Sequence, residues 1–253
     1  MKTLLAAILA LSALAALVQE PQFEVASIKP SPERRPQMFA IQPGGRLSAS
    51  GVTARVLIQR AFGLQPHQID KLPQWAIQER FELQAKPTDR ERPYGSAEVL
   101  AMLQGLLSER FGLQHHRETQ VRPVFFLSRE REDRPLSSSF RASAADCAGR
   151  RPEDVGPVSS ADCGVSTRSS DVGVAFSFHG RALAQFANDL VVQAGRPVLD
   201  RTNIDGQFDI EVVVERGGAL VTAIREQLGL RLVSADAPIE MLVVDAIHPP
   251  TPD

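Results

Sequence analysis

Apolar side chains recur at helical spacing in four segments of the chain, and each segment ends at a glycine. The apolar positions lie three or four residues apart, which is typical of an amphipathic helix with one buried face. A glycine just beyond the last turn adopts the left-handed conformation that satisfies the final carbonyl groups. Ser96 is the predicted N-cap of the second helix. The pattern predicts helices over residues 52–62, 97–111, 181–194 and 219–228.

Three further segments alternate apolar and polar side chains, and each begins at a phenylalanine. Alternation of this kind places apolar groups on one face of a sheet and charged groups on the other. Strands are therefore predicted over residues 23–28, 81–85 and 208–212. Two short apolar runs, 124–127 and 241–244, suit more central strands.

The two halves of the chain repeat one order of elements. In each half an amphipathic helix precedes a strand of Phe-acid-aliphatic type, and a second helix then ends at Gly-Leu. The eleven positions that follow, as far as Val124 and Met241, read as two strands joined by a turn near 120–123 and 235–238. This order predicts an α+β fold of two similar α/β repeats, each helix-strand-helix-hairpin, with helices on one face of mixed or antiparallel sheets. Chance agreement between short patterns is the alternative.

The first 18 residues have the pattern of an export signal. Lys2 gives a short positive start, and residues 3–18 then run without a charge. This apolar core is shorter than the roughly 20 residues of a membrane-spanning helix but suits a signal peptide. Ala13 and Ala15 offer a cleavage motif, and cleavage before Gln19 is a further option. The pattern predicts a periplasmic or secreted protein, with an uncleaved anchor or a buried helix as the alternative.

Removal of the signal over residues 1–18 leaves about 235 residues, enough for one large domain or two small ones. We predict a first repeat over 19–129, an irregular connector over 130–173 and a second repeat over 174–253. The connector holds both cysteines of the chain, Cys147 and Cys163. In an oxidising compartment such a pair predicts a disulfide. A metal site is the weaker interpretation, because no histidine accompanies the cysteines.

Composition and motifs exclude several classes of function. The formal net charge of -2 argues against a nucleic-acid partner, which requires a basic face. After the signal, no apolar segment is long enough for a stable membrane span. The sequence lacks a Gly-x-Ser-x-Gly elbow, a phosphate-binding glycine loop and a His-Glu-x-x-His helix. We therefore predict no metal site and no cofactor.

The remaining candidate chemistry rests on a few polar side chains. His179, Asp200 and Asp205 are the candidate catalytic residues, since such groups are recognised by geometry rather than by sequence order. A surface or hydrogen-bonded role is the alternative for each. Arg196 and Arg201 flank a short apolar segment and are the candidate residues for binding an acidic ligand. Pairing of Arg201 with a neighbouring aspartate is the alternative to ligand binding.

Several stretches of the chain together resemble a known family: residues 23–30, 109–113, 195–202, 227–230 and 249–250. The resemblance is to a large paralogous family of uncharacterised exported proteins of soil bacteria. Some of its members look joined to membrane sensor-peptidase modules of the beta-lactam-sensor type, which implies ligand binding or sensing. The repeat unit is also similar to the small α/β modules at the start of secretins and TonB-dependent receptors. No catalytic residue carries over from this family.

These observations lead to one main functional expectation and two alternatives. The main expectation is an exported ligand-binding or sensing module without chemistry of its own, whose ligand is an unknown small molecule, peptide or glycan. The first alternative is a secreted hydrolase that acts on an ester, lactone or glycosidic bond. The second is a structural envelope protein that pairs through exposed strand edges.

Overall fold

The fold is described by a computed structural model over residues 21–32, 35–89, 92–133, 137–144, 147 and 163–250. The predicted signal over 1–18 lies outside the described residues, as does much of the predicted connector.

Within the described residues, each half of the chain has three strands before its first helix and ends in one long strand. The first half contains β1 (Phe23–Pro30), β2 (Met38–Gln42), β3 (Arg46–Thr53), α1 (Ala54–Phe62), β4 (Ile69–Asp70), α2 (Gln74–Gln78), β5 (Arg80–Pro87), α3 (Ser96–Phe111) and β6 (Gln114–Arg129). The second contains β7 (Phe140–Ala142), β8 (Gly164–Ser169), β9 (Gly173–Arg181), α4 (Leu183–Asp189), α5 (Val191–Ala194), β10 (Val198–Asp200), β11 (Phe208–Glu215), α6 (Leu220–Ala223) and β12 (Leu230–Ala246). A π-helical turn over Ile224–Leu228 continues α6.

Three sheets organise these strands. The first-half sheet has the order β1-β5-β3-β2 and the second-half sheet the order β7-β11-β9-β8, both with antiparallel neighbours. The central sheet has the order β10-β6-β12-β4 and is mixed. The prediction of an α/β fold with antiparallel and mixed sheets is therefore confirmed. The strands β7 and β8 fall within the residues predicted as the connector, and both pair with strands of the second half.

The predicted hairpins at the end of each half are wrong. Instead of turning near 120–123 and 235–238, β6 and β12 are single long strands that pair with each other along their whole length. Prolines at these positions suggested turns, but they are tolerated because β10 reaches only 125–127 and β4 only 242–243. At Pro123 and Pro238 each strand therefore has an open side, where the missing N–H costs no sheet hydrogen bond.

The pairing in the central sheet is symmetric about one residue pair. Val121 lies opposite Pro238 in the middle of the β6–β12 ladder. Four residues further along each strand, Phe125 pairs with Val198 of β10 and Leu242 pairs with Ile69 of β4. The short strands of the two halves thus join the ladder at matching places, as they would about a local two-fold axis.

The long strands contribute to both cores of the protein. The first core consists of side chains from the first-half sheet, α1 and α3 together with Leu242 and Val244 of β12. The second consists of side chains from the second-half sheet, α4 and the π-helical turn together with Leu127 of β6 and Leu230 of β12. Because β12 enters one core at each end, the central ladder joins the two halves through buried apolar surface.

The helices follow the predicted periodicity, with shifts at their ends. Helix α1 begins later than predicted, after Thr53, whose Oγ1 accepts the N–H of Val56 at 3.4 Å. The predicted N-cap Ser96 is instead the first residue of α3, and Glu98 Oε2 accepts the N–H of the cap residue Gly95 at 3.0 Å. The predicted helix over 181–194 is divided into α4 and α5.

An acidic side chain holds a β-bulge in each half, and this explains the Phe-acid-aliphatic strands. Glu82 Oε1 accepts the N–H of Gly51 at 3.3 Å, and Asp209 Oδ1 accepts the N–H of Gly180 at 2.9 Å. Both glycines lie at a register shift and have positive φ, 60° and 59°. The left-handed backbone turns each N–H toward the acid of the neighbouring strand.

We expect Gly51→Ala to lose about 1 kcal/mol more stability than Gly63→Ala. Both glycines have a φ near +60°, so both variants carry the strain of a left-handed alanine. A Cβ at Gly51 would also lie 2.8 Å from the carbonyl oxygen of Arg35, whereas nothing lies within 4 Å of a Cβ at Gly63. Urea unfolding of the two variants measures the difference in stability. Equal losses of stability would contradict the prediction, because they would show that the backbone of residues 35–36 moves aside at little cost.

Candidate functional site

The three predicted catalytic residues do not meet in the structure. His179 lies on β9, where its Nδ1 is 3.9 Å from Asp209 Oδ1. Asp200 lies on β10, and its Oδ1 accepts both the N–H of Thr202 at 2.8 Å and its hydroxyl at 2.7 Å. Asp205 is exposed in the loop before β11. No contact joins His179, Asp200 and Asp205 in the part of the chain that the structure describes, and Asp200 instead shapes its own turn.

The two predicted ligand-binding arginines lie on opposite faces of the central sheet. The guanidinium of Arg196 lies 4.4 Å from the ring centroid of Phe125, and its Nη1 donates to Ser234 Oγ at 3.1 Å. The guanidinium of Arg201 lies 5.3 Å from the ring centroid of Phe126. Because consecutive residues of a strand point to opposite faces, Arg196 and Arg201 do not grip one ligand together.

Arg201 instead belongs to a second set of polar side chains, which surround a hollow of about 550 Å³. We call this feature the arginine hollow. Its residues come from the end of β6, the turn after it, the start of β12 and the turn after β10: Ser128, Arg129, Glu130, Glu132, Arg201, Thr202, Asn203 and Arg231. Three elements that are distant in sequence thus bring three arginines to one place.

Local hydrogen bonds hold the wall that carries Arg201. The N–H of Arg201 donates to the carbonyl of Leu127 at 2.8 Å, which continues the pairing of β10 with β6. Thr202 is buried in the turn that Asp200 closes, and its Oγ1 accepts the N–H of Ile204 at 3.3 Å. Asn203 then adopts a positive φ of 54°, a conformation that asparagine tolerates better than most residues. The turn is therefore fixed by its own side chains.

The opposite wall is fixed by strand register. Arg231 of β12 lies opposite Ser128 of β6, and its Nε donates to Ser128 Oγ at 3.3 Å. This hydrogen bond uses one of the five N–H groups of the guanidinium and leaves its terminal nitrogens for other acceptors. Arg201 and Arg231 form no ion pair with any residue that the structure describes. The hollow therefore presents charged donors suited to a carboxylate or another oxyanion.

Two larger hollows lie along α3 but offer less chemistry. Their volumes are about 740 and 680 Å³, and both include Ala97 and Gln104. Gln104 is already engaged, because its Nε2 donates to the carbonyl of Ala61 at 2.7 Å. A binding site is marked by polar groups that converge on a concavity, so the arginine hollow is the better candidate despite its smaller size.

Two clusters of titratable groups lie outside the arginine hollow. The Nδ1 of His116 is 3.0 Å from both carboxylate oxygens of Asp245, and this hydrogen bond raises the pKa of His116. At the end of α4, Asp189 Oδ2 lies 3.1 Å from Arg181 Nε, yet neither atom forms a well-aligned hydrogen bond. Burial raises the pKa of Asp189, and the charge of Arg181 opposes that rise. Both clusters are pairs that link neighbouring elements.

Metal-binding clusters and membrane-spanning helices are absent from the described residues. Within the described residues, no three His, Cys, Asp or Glu side chains are grouped so that they could hold a metal ion. Every described helix is too short or too polar to cross a membrane. The Cys147–Cys163 disulfide is formed, as the sequence predicts.

Comparison with known proteins gives a family but no activity. No curated protein and no solved structure matches the chain. The profile of DUF3738, described as a protein of unknown function, matches residues 55–247. This match covers most of the chain and includes every residue of the arginine hollow. The protein therefore belongs to the DUF3738 family, which is an uncharacterised domain family.

Proposed function

We propose that the protein is an exported ligand-binding or sensing module and that the arginine hollow binds an anionic group of its ligand. The observation that carries this proposal is the convergence of Arg201 and Arg231 from different strands on one open hollow, without an acidic partner among the described residues. Charges of one sign repel each other, so a fold gains no stability from bringing them together. A bound anion would offset that repulsion.

An internal comparison supports a functional origin for these arginines. We propose that the two halves are copies of one unit, because their sheet orders, their bulge-holding acids and the places where β4 and β10 join the central ladder correspond. Under that correspondence Arg231, which follows Gly-Leu, matches Gln114, and Arg201 matches Leu72, three residues after Ile69. The first half forms its end of the central sheet without either arginine. The fold therefore does not require them.

Two observations support a periplasmic or secreted location. The apolar segment at residues 3–18 fits a signal peptide. The Cys147–Cys163 disulfide is of the kind that persists in oxidising compartments rather than in the cytosol. A protein in such a location contacts its ligand outside the cytoplasm, which suits a binding or sensing module.

The hydrolase alternative receives less support from the geometry. A general base needs an acid or other group that orients it toward a nucleophile. The acid near His179 is Asp209, whose Oδ1 already accepts the N–H of Gly180. Asp200 is engaged by Thr202. These contacts give the predicted catalytic groups structural roles.

We expect Arg201→Gln to weaken binding of organic anions by tenfold or more, since hydrogen bonds to charged groups contribute about 1.5–3 kcal/mol each. Arg225→Gln is the matched control, because Arg225 is exposed and its only described ion pair is a 4.0 Å contact with Glu226. Titration calorimetry with a panel of carboxylates and phosphates measures both variants. Equal affinity of Arg201→Gln and the wild type for every bound anion would refute the proposed site.

A further inference from the structure

The lining of the arginine hollow contains more than arginines. Ser128 contributes a hydroxyl and Asn203 an exposed amide, and Glu130 and Glu132 place carboxylates at the rim. The surface that faces the hollow is mostly polar. A site of this kind recognises a ligand through many hydrogen bonds rather than through buried apolar area.

The balance of charge in the hollow selects among anions. Three arginines and two glutamates leave one net positive charge. A singly charged carboxylate neutralises this net charge, whereas the second negative charge of a phosphate would be repelled by the two glutamates. Repulsion of this sort is a common source of specificity, because it weakens the wrong ligand without strengthening the right one. The charge therefore favours a monoanion.

The exposed carboxylates at the rim can accept hydrogen bonds from a ligand. An ionised carboxylate accepts hydrogen bonds and donates none, so Glu130 and Glu132 match a ligand that carries hydroxyl groups. A peptide is less well matched, since peptides are usually held at a strand edge or by apolar pockets for their side chains. The hollow offers mainly polar groups and guanidinium forks.

We infer that the arginine hollow binds a carboxylated sugar, a uronate, whose carboxylate contacts Arg201 and Arg231 and whose hydroxyl groups contact the rim glutamates. This inference rests on the proposed function, because it takes the arginine hollow as the binding site. The guanidinium of Arg201 lies over the ring of Phe126 in a cation–π contact, and its fork of N–H donors suits bidentate recognition of a planar carboxylate. The sugar class thus follows from the pairing of guanidinium and carboxylate groups in one hollow.

The experiment compares four small probes on the full mature protein: galacturonate, galactose, acetate and inorganic phosphate. Galacturonate is expected to bind at least tenfold more tightly than any of the other three, as measured by calorimetry or by ligand-detected NMR. Galactose lacks the charge, acetate lacks the hydroxyl groups, and phosphate carries excess charge near pH 7. Acetate or phosphate binding as tightly as galacturonate would overturn the inference.

Two variants separate this inference from the proposed function. The double variant Glu130→Gln, Glu132→Gln removes the rim charge, so the preference for galacturonate over phosphate is expected to fall at least tenfold. Arg201→Gln is expected to weaken all anions, and Arg225→Gln none. If Arg201→Gln weakens anion binding but the double glutamate variant keeps the same preference for galacturonate over phosphate, the sugar assignment is refuted and the proposed function stands. Absence of binding by all four probes, together with no anion from the broader panel, would sink both proposals.

Discussion

Replacing Leu127 by alanine is expected to destabilise the whole protein by about 2–5 kcal/mol. Leu127 is fully buried in the second core, although it belongs to β6, the last strand of the first half. Its loss leaves a cavity where the central ladder meets that core, and cavities of this kind cost more than the transferred area alone. Since β6 and β12 form one ladder, we expect the effect to reach the first half.

The single tryptophan of the chain makes this spread measurable. Trp75 packs against the first core and meets Phe81 edge to face, with ring centroids 6.5 Å apart. Urea unfolding followed by Trp75 fluorescence should therefore shift in Leu127→Ala, together with the transition followed by circular dichroism. Val121→Ala is the control on the same strand, because Val121 is 72% exposed, and its effect should stay within about 0.5 kcal/mol. An unchanged Trp75 transition in Leu127→Ala would show that the halves unfold independently.

Local patterns were enough to predict helical structure in four segments, but they missed the five-residue helix α2. The helix ends at Gly63 and Gly112 depend on the last turn and on the glycine itself, which has a φ of 64° and 61°. The interruption at Leu190 was not predictable from spacing, because the apolar positions keep helical spacing from Leu183 to Val191. Periodicity thus gives the presence of a helix and its buried face more reliably than its continuity.

The pairing of β6 with β12 could not be derived from either segment alone. Each segment contains a proline at its centre, and a local interpretation takes proline as a sign of a turn. What decides the outcome is the partner strand more than a hundred positions away, which supplies hydrogen bonds over the whole length. The apolar runs at 124–127 and 241–244 were visible in the sequence, but the pairing of the two long strands across the halves was not.

The candidate site shows the same division between local and distant information. Arg201 was a candidate because it flanks a short apolar segment together with Arg196, and the structure places it at the hollow. Arg231 and Ser128 carried no signal of their own, since their meeting depends on the register of β6 against β12. Arg196 has the same side chain as Arg201, but strand alternation directs it to the other face.

The second large effect is expected at the disulfide. The double variant Cys147→Ser, Cys163→Ser should lose about 3 kcal/mol, because the bridge closes a loop with a sequence separation of 16 residues. Cys147 follows β7 and Cys163 precedes β8, and these strands are the two edges of the second-half sheet. The bridge therefore links opposite edges of one sheet. The three-residue strand β7 should be the first element to detach without it.

Reductant provides the matched test for this prediction. Wild-type protein treated with a phosphine reductant should match the double variant in its urea midpoint, and the variant should not respond to reductant. The N–H of Cys147 also donates to Gln207 Oε1 at 3.1 Å, a bond that serine retains, so the comparison isolates the loss of the bridge. Anion binding should survive reduction while the protein stays folded, because the hollow is built from the central sheet and its turns. If the urea midpoint of the reduced wild-type protein equals that of the oxidised protein, the prediction is wrong and other contacts hold the ends of the loop.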